Sequence, residues 1–169
     1  LAAMLAAGEG ISKDIDQAGQ WYRKAAQQGL PGAQNSLGLL LNANTLGGED
    51  ADNAEQAAYW YQKAAEAGLA DAQNNLGTLY LKGRGVARDD ARAVELFMLA
   101  AKQGLPTAQY NLGAMYSAGR GVPKDTQQAK EWYLKSAKQG YALAQYTLAQ
   151  LSVQSGDAMK PDYEQALQW

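Results

Sequence analysis

An Ala-Gln dipeptide returns at a fixed interval along the 169-residue chain. It begins at Ala72, Ala108 and Ala144, each 36 residues after the last, and an earlier copy begins at Ala33, 39 residues before Ala72. Self-similarity of this length is typical of repeat proteins, in which each repeat is one supersecondary unit that buries its apolar face against its neighbours. The sequence therefore predicts a row of units of about 36 residues, with three extra residues in a loop around 44–52.

Each unit opens with the pattern of an amphipathic helix. Ala72, Leu76 and Leu79 are spaced i, i+4 and i+7, which places them on one helical face, and the other units repeat the pattern. A Gly-x-Gly turn follows, as at Gly83 and Gly85. Glycine accepts the positive φ angles that end a helix sharply. The pattern predicts a first helix followed by a tight turn.

A second helix is predicted after each turn, because a residue suited to an N-cap stands there and an apolar stripe follows. The expected caps are Asp14, Asn53, Asp89, Asp125 and Asp162. The stripe includes the aromatic pairs Trp21-Tyr22, Trp60-Tyr61 and Trp132-Tyr133, and the helices stop at Gly29, Gly68, Gly104 and Gly140. We expect the aromatic pairs in the core between repeats, with Trp60 and Trp132 mostly buried, rather than on a carbohydrate- or base-stacking platform.

These positions resemble the signature of the Sel1-like repeat family, relatives of the tetratricopeptide repeats: Ala, Leu-Gly, Tyr, Gly-x-Gly-Val, Asp, Ala, Trp-Tyr, Ala-Ala and Gly, in that order. The resemblance covers the whole chain. It implies an all-α fold, a right-handed α-solenoid of tandem helix-turn-helix repeats. We expect a single solenoid domain over 1–169, a fragment of a longer array, with repeats at 1–30 (partial), 31–69 (with the insertion), 70–105, 106–141 and 142–169 (partial).

The composition argues against several classes of catalytic site, metal site and binding partner. The chain has no Cys and no His, which excludes thiolate nucleophiles, imidazole bases and the commonest zinc ligands. Its net charge is −2 with the two signs interspersed, which disfavours nucleic acid and anionic membranes as partners. The apolar run 37–41 is far shorter than the roughly 20 residues that cross a bilayer. We expect no cofactor, no metal and no membrane insertion.

Three patterns that suggest chemistry have simpler structural interpretations. The turn at Gly83-Arg84-Gly85 follows a helix and lacks the Gly-Lys-Ser/Thr ending of a phosphate-binding loop. The acidic stretch 49–52 fits no EF-hand spacing and is interpreted as a solvated loop rather than a calcium site. Of the carboxylate pair Asp89-Asp90, the first is explained as a cap. Arg84 and Arg120 occupy equal places in two turns, either solvated or available to a partner.

The face of the first helix opposite the apolar stripe differs from repeat to repeat. In the resembled family this face lines the inside of the superhelix. The candidate partner-binding residues are Asn35, Leu39 and Asn42; Asn74, Thr78 and Leu81; Tyr110, Ala114 and Ser117; and Tyr146, Gln150 and Val153. This surface is uncharged and polar, with tyrosines toward the C-terminus, and suits hydrogen bonding to an extended peptide or a glycan. Truncating Tyr110 or Tyr146 is expected to weaken binding without loss of stability.

The sequence thus predicts a non-catalytic scaffold or adaptor that binds a protein or peptide, in a bacterial assembly or signalling role that the resemblance implies. The alternative is recognition of cell-envelope polysaccharide or peptidoglycan, with Tyr110 and Tyr146 stacking on sugars. An enzyme that uses carboxylates is the third hypothesis. The residues leave the compartment open, and the resemblance favours the bacterial periplasm or cell envelope over the cytoplasm.

Overall fold

The structure, a computed structural model, describes residues 1–10 and 12–155, with the backbone alone for 153–155. In this part of the chain every regular element is an α-helix. The helices are α1 (Ala2–Ala7), α2 (Ile15–Gln27), α3 (Pro31–Asn42), α4 (Asp50–Glu66), α5 (Ala70–Lys82), α6 (Asp90–Lys102), α7 (Pro106–Ala118), α8 (Thr126–Lys138) and α9 (Ala142–Ser155). The odd-numbered helices are the predicted first helices and the even-numbered ones the second. Three predicted positions, the turn residue Ile11, the cap Asp162 and the stripe residue Trp169, lie outside the described residues.

Packing divides the chain into two compact units, residues 1–89 and residues 90 onward. In the first unit each helix packs against the next, from α1 to α5. In the second unit the same succession runs from α6 to α9. Each helix therefore buries its apolar face against its neighbours in sequence, as the repeat pattern predicts.

Two of the three aromatic pairs place their second member in the core, whereas in the first pair Trp21 is 43% exposed and Tyr22 is half-buried, contrary to the expectation for that pair. Tyr61 is 1% exposed and Tyr133 is 4% exposed. Trp60 and Trp132 keep well under half of their surface exposed, which agrees with the expectation that they are mostly buried, but each is less buried than the tyrosine that follows it. The buried stripe of α4 follows the spacing i, i+4 and i+7 through Ala57, Tyr61 and Ala64, and one residue is about 100° of helical rotation, so Trp60 lies at its edge.

A glycine on the facing first helix makes room for each buried tyrosine. A Cβ atom added to Gly38 of α3 would lie 2.6 Å from Cε1 of Tyr61, and one on Gly113 of α7 would lie 2.8 Å from Cδ1 of Tyr133. Carbon atoms do not approach so closely without displacement. The Leu-Gly step of the repeat therefore lets the backbone of the first helix lie against an aromatic ring.

Two of the predicted N-caps are confirmed by their hydrogen bonds. The Asp14 carboxylate accepts from the backbone N–H of Gln17 at 2.8 Å. The Asp125 carboxylate accepts from the N–H groups of Gln127 and Gln128 at 3.0 and 2.9 Å. These bonds satisfy donors that have no partner within the helix. Asp89 stands directly before α6, where its cap is predicted.

The cap prediction for Asn53 is wrong, because α4 begins earlier, at Asp50. Part of the stretch 44–52, expected as loop, is therefore the first turn of a helix, where acidic side chains favour the helix dipole. Asn53 is buried instead, and its Nδ2 donates to Asn44 Oδ1 at 2.6 Å and to the Gly47 carbonyl at 2.7 Å. It fastens the inserted loop to α4.

The turns dock onto the second helix of the preceding repeat. A Cβ atom on Gly85 would overlap the backbone of Ala54, and one on Gly121 would overlap the backbone of Asp90. The arginine between the two glycines adds an ion pair at the same junction. Arg84 Nη2 bonds Asp50 at 2.6 Å, and Arg120 binds the Asp90 carboxylate through two contacts of 2.9 Å. Both arginines are thus engaged within the protein.

The recurring glutamine also joins successive repeats. Its side-chain amide donates to a carbonyl near the end of the preceding second helix, where carbonyl groups have no partner within the helix. The pairs are Gln34 with Ala26 at 3.2 Å, Gln73 with Ala65 at 3.4 Å, Gln109 with Ala101 at 3.3 Å and Gln145 with Ala137 at 3.2 Å. The Ala-Gln dipeptide therefore recurs because it connects adjacent repeats within each unit.

Candidate functional site

In the first unit, the variable faces of α3 and α5 meet and enclose a polar cleft. Asn75 Nδ2 of α5 donates to Asn35 Oδ1 of α3 at 3.0 Å, which joins the two helices directly. The cleft has a volume of about 100 Å³. Its lining comes from α3, α4, α5 and the following turn: Leu39, Asn42, Tyr61, Asn75, Thr78, Leu79, Lys82 and Arg84.

Three of the six residues predicted for this face, Leu39, Asn42 and Thr78, line the cleft. Asn35 reaches Asn75 at its side, whereas Asn74 and Leu81 do not line the cleft.

Two lining residues that the sequence analysis missed are Asn75 and Lys82. With Thr78 they follow the spacing i, i+3 and i+7, whereas the predicted set takes the spacing i, i+4 and i+7 through Asn74. Both spacings describe one side of a helix. A prediction that applied both spacings around Thr78 would have included Asn75 and Lys82 among the candidate residues.

Lys82 gives the cleft its uncompensated charge. Arg84 is already paired with Asp50, whereas Lys82 forms no ion pair within the described residues. Helix α3 carries no charged residue at all. The cleft therefore has one free positive charge, on its α5 side.

Two neutral groups complete the lining. Burial raises the pKa of the Tyr61 hydroxyl far above its usual range, and the nearby Arg84 offsets this only in part. The hydroxyl is thus un-ionised at neutral pH and available as a donor. Asn42 Oδ1 is buried without a hydrogen-bond partner, a state that costs about 1–3 kcal/mol. The cleft holds an amide group that a ligand could satisfy.

In the second unit, Tyr110 of the predicted face is half-buried and packs against the core. Its ring lies 5.4 Å from that of Tyr133 and 5.5 Å from that of Tyr141, measured between centroids. Such contacts contribute about 0.5–1.5 kcal/mol beyond burial. Truncation of Tyr110 is therefore expected to lower stability, contrary to the expectation from its sequence position. Ala114 and Ser117 are half-buried beside it.

Among the described residues of the second unit, Tyr146 is the exposed aromatic residue. It is 63% exposed, and its hydroxyl accepts a hydrogen bond from Gln150 Nε2 at 2.9 Å. This bond links two predicted residues on one face of α9 and steadies the ring. The side chain of Val153 lies outside the described residues.

The described residues contain no group of three or more acidic side chains placed to hold a metal ion. In the same part of the chain, no helix has both the length and the apolar character needed to cross a membrane. The polar side chains on the two faces carry amide, hydroxyl, guanidinium and ammonium groups, and the tyrosines add aromatic rings. These groups hydrogen-bond and stack at neutral pH.

A protein-family model described as the Sel1 repeat matches residues 1–30, 31–69, 70–105, 106–141 and 142–169. The chain belongs to the Sel1 repeat family. Sel1-repeat proteins are generally protein-interaction scaffolds. No curated protein matched the sequence.

Solved structures support the same assignment. This Sel1 repeat chain is 39% identical to a protective antigen of uropathogenic Escherichia coli that displays an SLR fold, with a TM-score of 0.83 over 92% of this chain and 32% of that one. It is 34% identical to a Sel1 repeat protein from Oxalobacter formigenes, with a TM-score of 0.82 over 94% of this chain and 44% of that one. The cysteine-rich protein B of Helicobacter pylori is 25% identical, with a TM-score of 0.60 over 78% of this chain and 92% of that one.

These likenesses confirm the expected fold class, an all-α solenoid of tandem helix-turn-helix repeats, and the expected bacterial neighbours. The Sel1 repeat chain spans 32% and 44% of the length of the first two structures.

Proposed function

We propose that this chain is a non-catalytic interaction module that binds a peptide segment of a protein partner on the variable faces of its first helices. The observation that carries the proposal is the cleft between α3 and α5. There Asn42 Oδ1 and the Lys82 ammonium group lack protein partners within the described residues.

The residues that recur from repeat to repeat and the variable residues use their polar groups differently, which supports this proposal. The glutamines of the Ala-Gln dipeptides and the turn arginines bond neighbouring repeats, so their polar groups are largely used within the protein. The variable positions instead carry amides such as Asn35 and Asn75. A side-chain amide has both donors and an acceptor and so matches the N–H and C=O groups of an extended peptide backbone.

A glycan of the cell envelope is the second candidate, and the exposed ring of Tyr146 favours it. A tyrosine that is 63% exposed and held by Gln150 presents a flat apolar face with a polar tip. The same properties suit a peptide contact, so binding measurements with both ligand classes separate the candidates.

The test is selection of peptides from a random display library on the whole chain, followed by titration calorimetry of the selected peptides and, in parallel, of peptidoglycan fragments. Tyr146→Ala is expected to weaken peptide binding by about 1–2 kcal/mol and to leave the thermal midpoint unchanged. Tyr59→Ala is the matched control, because Tyr59 is similarly exposed, at 54%, but lies on the second helix α4.

Equal affinities of the two variants would exclude the exposed face of α9 from the binding surface. Binding of the peptidoglycan fragments without any peptide would replace the proposal by its alternative.

A further inference from the structure

Three residues that form or flank the cleft of the first unit have counterparts in the second unit that contact one another. In the repeat 106–141, the Tyr133 hydroxyl is hydrogen-bonded to Ser117, and the ring of Tyr110 packs on Tyr133. The Tyr133 hydroxyl and the Tyr110 ring thus have partners within the protein.

In the repeat 31–69, the residues at the positions of Ser117, Tyr133 and Tyr110 are Asn42, Tyr61 and Asn35. Asn42 Oδ1 has no partner, and the amide of Asn35, smaller than a tyrosine ring, is bonded to Asn75. The cleft beside these groups has a volume of about 100 Å³. A water molecule needs a cavity of only roughly 10–15 Å³ by the same measure, so the end of a side chain fits.

The groups around this opening are chiefly donors. Lys82 has three N–H donors, and Arg84 has five, of which the bond to Asp50 uses one. Tyr61 adds a hydroxyl. Asn42 Oδ1 has no hydrogen bond to lose. The side-chain amide can therefore rotate and present its Nδ2 donors to the cleft. A group with two acceptor oxygens and a negative charge matches this set.

We propose that the cleft binds the carboxylate of an Asp or Glu side chain in the partner peptide, and that Lys82 determines this preference. The inference rests on the proposed function and specifies the partner's chemistry. Of the two cationic side chains that line the cleft, Lys82 is the one without an ion pair among the described residues. A carboxylate bonded to an ammonium group forms the stronger, charge-assisted kind of hydrogen bond.

The cleft selects a side chain rather than the C-terminal carboxylate of a partner. The bonded amides of Asn35 and Asn75 lie beside it, along the line between α3 and α5. A peptide backbone that follows these amides continues past the cleft and directs only a side chain into it.

The experiment uses the same display library and compares the whole chain with two lysine variants. Lys82→Gln removes the charge at the cleft. Lys102→Gln is the matched control, because Lys82 and Lys102 are the last residues of α5 and α6 and each favours the dipole of its helix. The wild type and Lys102→Gln are expected to select peptides with Asp or Glu at one fixed position, and Lys82→Gln is expected to lose that preference.

Synthetic peptides measure the size of the preference for an acidic side chain. Replacing the selected Glu by Gln is expected to weaken binding to the wild type and to Lys102→Gln about five- to tenfold, and to leave binding to Lys82→Gln nearly unchanged. Asn42→Leu, which places in α3 the residue found at the corresponding position Leu81, is expected to weaken the acidic peptide while Lys82 is still present. Raising the salt concentration should reduce the Glu preference of the wild type.

Three results would overturn the inference. The first is selection by the wild type without an acidic preference. The second is equal behaviour of the two lysine variants. The third is an affinity that depends on a free rather than an amidated C-terminus. In each of these cases peptides still bind, and the proposed function stands. If no peptide binds any variant, the proposed function and this inference fail together.

Discussion

At the scale of single residues, the two members of a Trp-Tyr pair have different roles. Tyr133 is buried against Gly113, whereas the ring of Trp132 is half-buried with Lys135 Nζ above it, 4.0 Å from its centroid. A lysine also lies over the ring of Trp21, which is 43% exposed, with Lys24 Nζ 4.7 Å from the ring centroid. The tyrosine fills the core, and the tryptophan covers its edge beneath a cation.

This difference predicts the cost of truncating each ring. Tyr133→Ala removes a buried ring and is expected to lower the free energy of unfolding by roughly 3–5 kcal/mol, as for other large aromatic residues. Trp132→Ala loses partial burial and a cation–π contact and is expected to cost about 1–2 kcal/mol. Urea denaturation of both variants measures the order, and a larger loss for Trp132→Ala would refute this assignment of the core.

Sequence alone does not decide between two adjacent aromatic residues. Both Trp60 and Tyr61 fit an amphipathic stripe, because neighbouring residues differ by about 100° and a helical face is at least that wide. The decision comes from α3, where Gly38 leaves space for a ring. The contact between α3 and α4 therefore decides which aromatic residue is buried, and Gly38 is the sign of that contact in the sequence.

At the scale of helices, α3 contains two glycines with opposite roles. A Cβ atom on Gly38 would meet the Tyr61 ring, whereas one on Gly32 would meet nothing within 4 Å. Neither glycine has a positive φ angle. The repeat pattern requires the first for close packing, and the second is an ordinary helical position.

We therefore expect opposite effects from the same substitution. Gly38→Ala should lower the free energy of unfolding by about 1–3 kcal/mol, because the ring of Tyr61 has to move. Gly32→Ala should raise it by up to about 1 kcal/mol, since alanine is the better helix former. Thermal or urea unfolding compares the two variants with the wild type. If both stabilise the protein, the close approach of α3 to Tyr61 is refuted.

Helix ends were predicted better than helix faces. The caps Asp14 and Asp125 and the turn at Gly83 depend on residues within one helix end, so local sequence suffices. The cap at Asn53 failed because the insertion added a turn to the start of α4. The added helical turn places Asp50 where Arg84, in the Gly-x-Gly turn of the next repeat, pairs with it. This ion pair joins two repeats, so the sequence of a single helix does not reveal it.

At the scale of the whole molecule, the repeat phase predicted the fold class, and the variable positions included part of the lining of the cleft. The cleft itself was not predicted, because it depends on side chains from α3, α4 and α5 together. Tyr61 was assigned to the core, and Lys82 lies outside the predicted stripe of α5. The charge that defines the proposed ligand is therefore visible only when the three helices are assembled.

Each compact unit contains a buried tyrosine whose pKa is raised, Tyr61 in the first and Tyr133 in the second. Burial is the main cause of the raised pKa in both. At Tyr61 the nearby Arg84 lowers the pKa in part. At Tyr133 the neighbouring Tyr110 raises the pKa further, and the hydrogen bond with Ser117 lowers it in part. A tyrosine in the unfolded chain ionises near pH 10. Below that pH both states keep the proton, and the stabilising effect of burial is fully present.

Above about pH 10 the unfolded chain loses the tyrosine proton while the folded protein keeps it, so stability falls as the pH rises. The fall is at most about 1.4 kcal/mol per pH unit for each tyrosine. Urea unfolding at about pH 8 and about pH 11 should show a smaller fall for Tyr61→Phe and Tyr133→Phe than for the wild type. Tyr146→Phe is the control, because Tyr146 is 63% exposed, and it should follow the wild type. Parallel falls in all four proteins would mean that the two hydroxyls are not buried, and the cleft would then lack the neutral donor assigned to Tyr61.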